Sequence, residues 1–183
     1  KKSSFTLYFG LVCSVIALRV ILTGEFILVY FFPGIEWNLQ IKAEFLTVFG
    51  GFTFFMVFLK KLFSNDFSDG IVKFYFFSAV FFSLLSIILP VKISARVLPL
   101  YHGLIIAGFF IIIASLVKAV QNRREGAVYI LAGCLVLIVV VVNDILDSNG
   151  IINSVYLFPY GLLLFIFSQS VVLARIFSDS FNR

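Results

Sequence analysis

The residues of this chain that could hold a charge or share a proton inside a folded core are few. Arg19, Lys42, Glu44, His102 beside Tyr101, Asn143-Asp144 and Tyr160 each stand within or at the edge of a long apolar run. An arginine beside a carboxylate can form a bidentate ion pair, strong and fixed in geometry. One histidine and two separated cysteines, Cys13 and Cys134, cannot build a three-ligand zinc site, and both cysteines read as small buried hydrophobes. No serine sits in a nucleophile elbow, and no His-Ser or His-Cys spacing suggests acyl transfer. The last lysine is Lys118, so the final apolar run has no amine for a Schiff base. This inventory argues against an enzyme and calls for no metal and no cofactor.

The solvent around these residues decides what they can do. Of 183 residues, 62% are hydrophobic and 13% charged, about half the charge of an ordinary soluble domain. A soluble domain of this size could not bury so many Phe, Ile, Leu and Val side chains. The chain is therefore expected to be an all-α integral membrane protein. Its net charge of +5 is spread singly and in pairs, with no basic stripe or stacking platform for nucleic acid. Anionic lipid of the bilayer is the better partner for those charges.

Apolar stretches of about 20 residues can cross a bilayer as helices. Six are expected here, near 4–22, 37–59, 70–89, 97–117, 126–144 and 155–174, forming a single helical domain. Pro33-Gly34, Pro90 and Asn149-Gly150 punctuate them. The stretch 25–36, "EFILVYFFPGIE", is too short to cross and is expected at the interface, with Tyr30 and Trp37 as anchors. Alternating spans put Lys1, Lys2, Lys60, Lys61, Lys73, Lys118, Arg123, Arg124, Arg175 and Arg183 on one side, against Lys42, Lys92 and Arg96 on the other. The positive-inside rule then makes both ends cytoplasmic and puts Asp144 at the non-cytoplasmic end of span five. The start at Lys1-Lys2, without a methionine, suggests a piece of something longer.

In that topology Arg19, Glu44, His102, Asn143, Asp144 and Tyr160 reach a similar depth in the outer leaflet, at about 1.5 Å per helical residue. An ionisable group at that depth seeks a partner within the bundle. Arg19 is the expected cation for Asp144, with Glu44 competing or bridging. Two other readings stay open. Asp144 could cap its exit turn while Arg19 snorkels outward, and a cluster could be a structural clasp rather than a ligand or switch site. Gln169, deep in span six between Ser168 and Ser170, is expected to make an interhelical hydrogen bond. His102 alone is more often a hydrogen-bonded core residue than a ligand or base.

The C-terminal third, "NDILDSNGIINSVYLFPYGLLLFIFSQSVVLARIFSDSFNR", resembles the closing segment of bacterial seven-transmembrane receptors with diverse intracellular signalling modules. The matching residues are Asn143-Asp144, Pro159-Tyr160-Gly161, Phe165 to Gln169, and the exit Arg175-Ile176-Phe177-Ser178, where Ile176 is an insertion relative to the family form. Earlier likenesses are Arg19 with Thr23-Gly24-Glu25, Trp37 after a Phe-Pro-Gly loop, and Arg124-Glu125-Gly126-Ala127.

The resemblance implies that the six spans are helices two to seven of a seven-helix receptor domain in the inner (plasma) membrane. A first helix and an extracytoplasmic sensor domain would precede them, and a cytoplasmic effector domain would follow; a homodimer is one form it allows. The function implied is a transmembrane receptor core that relays an extracytoplasmic signal through its last helix, past Gln169 and Arg175, to that output module. A scaffold subunit and a small-solute transporter are the alternatives, although no inverted repeat of the transporter kind is visible.

Overall fold

The structure is a computed structural model. It describes the backbone of residues 3–23, 34–124 and 126–181, and their side chains except at 3–6, 172, 173 and 175–181. The described residues form six α-helices and no strand: α1 Ser3–Thr23, α2 Trp37–Leu62, α3 Asp69–Ile88, α4 Val91–Gln121, α5 Ala127–Ser148 and α6 Phe158–Phe181. Four of them, α2 to α5, are long and apolar enough to cross a membrane, and the described apolar parts of α1 and α6 are shorter, Leu7–Thr23 and Phe158–Val171. Each expected span overlaps one helix. Most of the expected interfacial stretch, residues 25–33 with Tyr30, lies outside the described residues, whereas Trp37 opens α2 and is exposed.

Two helices extend past the apolar runs. α4 begins at Val91 because the Pro90 carbonyl accepts the N–H groups of Ile93 at 2.9 Å and Ser94 at 3.1 Å. Lys92 and Arg96 lie in these added turns, ahead of the expected span at 97, because a helix continues wherever its carbonyls find donors. α5 runs to Ser148, so Asn143 and Asp144 lie in its last turns rather than at its end.

Two compact units, Lys1–Gly103 and Leu104–Arg183, divide the chain within α4. In the first, α1 packs on α2 and α2 on α3. The core is aromatic: Phe49, Phe52, Phe55, Met56, Phe58 and Leu59 of α2 are all buried. Tyr101 is fully buried, edge-on to Phe49 at 4.7 Å and to Phe82 at 5.1 Å, and its hydroxyl donates to the Phe49 carbonyl at 3.1 Å. That bond satisfies a phenol hydrogen that hydrocarbon could not. On α3, Phe74, Phe76, Phe77 and Phe81 are exposed, the ordinary state of an apolar face whose solvent is lipid.

Both ends of the α2–α3 pair are tied by lysine. Lys42 Nζ donates to the Ile87 carbonyl at 2.8 Å, a cation on the negative end of the α3 dipole. Lys60 Nζ donates to the carbonyls of Ser64 at 2.7 Å and Phe67 at 2.6 Å, and lies 3.1 Å from an Asp69 carboxylate oxygen. One ammonium thus spends its three hydrogens on the turn that joins the two helices.

In the second unit α5 packs on α6. The α4 helix ends in a double turn bond, Arg124 N–H to the Ala119 carbonyl and Arg123 N–H to the Val120 carbonyl, with Arg123 left-handed at φ 51°. α5 ends the same way, Ile151 N–H to Leu146 and Gly150 N–H to Asp147, with Gly150 at φ 67°. The geometry is the Schellman motif, which favours glycine at the left-handed position. In the seam between α5 and α6, a Cβ at Gly161 would lie 2.7 to 2.9 Å from the Val140 side chain.

Candidate functional site

The polar residues at the end of α5 converge on the start of α6. One Asp144 oxygen accepts the backbone N–H of Leu157 at 3.0 Å, and the other accepts that of Phe158 at 2.8 Å. Asn143 donates to the Asp144 carboxylate at 3.0 Å and to the Val155 carbonyl at 3.2 Å, and accepts from the Ser154 hydroxyl at 2.8 Å. Asp147 accepts the Ser154 N–H at 2.9 Å.

An α-helix begins with donors that have no partner in their own turn. Leu157, the residue before α6, has no side-chain acceptor to offer. Asp144 supplies it from the preceding helix. Pro159 has no N–H, and the N–H groups of Tyr160 and Gly161 both reach the Leu157 carbonyl at 3.1 Å. Every donor of this first turn is thereby accounted for, and the carboxylate charge sits on the positive end of the α6 dipole. Asp144 is therefore a clasp between successive helices.

Arg19 belongs to the first unit. Its guanidinium donates to the Glu44 carbonyl and to the Thr47 hydroxyl, each at 3.4 Å, and its charge acts on the Glu44 carboxyl and on the His102 ring. Thr47 in turn donates to the Glu44 carbonyl at 2.7 Å, and Gln40 donates to the Leu22 carbonyl at 3.0 Å, closing α1 onto α2. His102 Nδ1 is enclosed and has no hydrogen-bond partner among the described residues. Arg19 and Glu44 thus put a cation and a carboxyl at one end of α1 and α2.

Arg19, Glu44 and His102 belong to the first unit, Asn143 and Asp144 to the second. Tyr160 lies in the first turn of α6 with its ring exposed. Gln169 is buried on α6, while the Arg175 side chain and Glu125 lie outside the described residues. Reasoning from charge alone missed the neutral partners Gln40, Thr47 and Ser154. It also missed Asp147, whose spacing of one helical turn from Asp144 puts both carboxylates on one face.

Residues 1–175 match the model of the 7TM diverse intracellular signalling family. No curated protein and no solved structure matches the chain. With the match running from the first residue into α6, and with apolar helices joined by the Asn143-Asp144 and Pro159-Tyr160-Gly161 motifs, the chain belongs to the 7TM diverse intracellular signalling family as a membrane receptor domain.

Proposed function

We propose that this domain relays a signal arriving on the extracytoplasmic side through α6 to a cytoplasmic output module. The observation that carries the reading is the Asp144 clasp. The N-terminus of α6 hangs on a side chain of α5 through two hydrogen bonds to backbone, so a displacement of the last turn of α5 displaces the start of α6. A helix is stiff enough to carry rotation or translation across a bilayer of about 30 Å. The bias of Lys and Arg supports the orientation, with the far end of α6 in the cytoplasm. The Arg19, Glu44 and His102 group is the candidate receiving element, since its ionisable side chains respond to any anion or proton that reaches them.

The test uses the full-length receptor in membrane vesicles, with the activity of its output module as readout. Asp144→Ala is expected to reduce the signal-dependent change in output, while Lys60→Met, which loosens a different turn, leaves it in place. Equal responses in the wild type and Asp144→Ala would remove α6 as the path.

A further inference from the structure

Gln169 is 1% exposed, and neither its Oε1 nor its Nε2 has a hydrogen-bond partner among the described residues. In hydrocarbon no water stands in for the missing partners, so this arrangement is costly. A Cβ at Gly133 would already meet Ser168 Oγ at 3.2 Å, Gln169 Nε2 at 3.4 Å and the Phe165 ring at 3.4 Å. The amide is packed against a bare stretch of helix backbone.

An acceptor lies beside it. The Ser168 hydroxyl donates to the Tyr129 carbonyl at 3.4 Å, a long bond. Ser168 and Gln169 are consecutive, hence about 100° apart around α6. A partial rotation of α6 brings the Gln169 amide to that carbonyl. It also frees the Ser168 hydroxyl to bond its own helix, as Ser170 already does with the Ile166 carbonyl at 2.8 Å. Gly133 leaves the long side chain room to sweep past.

We propose that α6 has two rotational seats on α5, one with Ser168 and the other with Gln169 at the Tyr129 carbonyl, with Gly133 as the pivot. The described structure is the first seat. The first seat leaves the Gln169 amide unmet, the second gives up the packing of α6 on α5 seen here, and these opposed costs let a modest input choose between them. The use of these seats in signalling rests on the relay reading; their existence does not.

The experiment is disulfide trapping in the full-length protein in membranes, with Val140→Cys and Gly161→Cys, which face each other across α5 and α6, introduced on a Cys13→Ser, Cys134→Ala background. Trapping is scored as fragments held together after proteolysis in the 149–153 turn. With Gln169 present, oxidation is expected to trap a part of the population. Gln169→Leu removes the drive toward the second seat, so the trapped fraction should rise about twofold or more and the melting temperature should rise with it. Gln169→Met gives the same comparison should leucine disturb packing. An unchanged trapped fraction in both variants, or a fall in melting temperature, would overturn the proposal. Altered trapping with unaltered output would uphold the two seats and count against the relay through α6.

Discussion

The carboxylate of Asp144 accepts the backbone N–H of Phe158 at 2.8 Å, so one helix caps the next across a turn. With Leu157 N–H on the other oxygen, the group carries two charge-assisted bonds to a helix start. Asp144→Ala is expected to cost about 2 kcal/mol of stability, within the range of lost caps and hydrogen bonds to charged groups. Asp144→Asn, which keeps one acceptor, should lose about half of that. Thermal unfolding in lipid nanodiscs measures both.

Gly161 of α6 faces Val140 of α5, and a methyl group at 161 would lie 2.7 to 2.9 Å from that side chain. Gly161→Ala should destabilise by about 1–3 kcal/mol, the usual cost of overpacking. Val140→Ala in the same chain should restore part of the loss, and a double-mutant cycle reads this as coupling. Strict additivity would place the strain elsewhere.

Lys60 separates buried hydrogen bonding from surface charge. Its side chain is 17% exposed, whereas that of its partner Asp69 is 78% exposed. An ion pair with one partner in solvent contributes little, so Asp69→Asn should change stability by less than about 0.5 kcal/mol. Lys60→Met orphans the Ser64 and Phe67 carbonyls and should cost about 2 kcal/mol, with faster proteolysis in the 63–68 turn. Equal effects of the two substitutions would show that the charge pair, and not the carbonyl bonds, holds this turn.

The two Schellman ends offer a matched comparison. Gly150 sits at φ 67° without strain, but Arg123 holds φ 51° with a Cβ that resists it. Arg123→Gly is expected to stabilise by about 1 kcal/mol, and Gly150→Ala to destabilise by a similar amount. Opposite shifts in melting temperature check the pair together.

Composition and run length carried the class and the number of the described helices, because hydrocarbon leaves the backbone few alternatives to a helix. The ends were less legible. α4 and α5 continue into turns that carry Lys92, Arg96 and Asp147, where hydropathy falls but backbone donors and acceptors still pair. Asp144 was legible as a polar residue at the end of a span, with Arg19 as its expected cation. Its partners were not, because they are backbone N–H groups of Leu157 and Phe158, which carry no signature in a side-chain alphabet. Gln169 was expected to bond another helix, and both of its polar atoms stand without a partner among the described residues, since what faces it is Gly133.

Lys60 and Lys61 are consecutive, yet chemically they are different amines. Lys61 is exposed, with its ammonium 5.8 Å from the centre of the Tyr8 ring, and stays open to acylating reagents. Lys60 has its three hydrogens committed to Ser64, Phe67 and Asp69, and a nitrogen so engaged cannot lend its electron pair. Mass spectrometry of a brief acylation should find label on Lys61 first. The slow appearance of label on Lys60 then becomes a clock for spontaneous opening of the turn it holds.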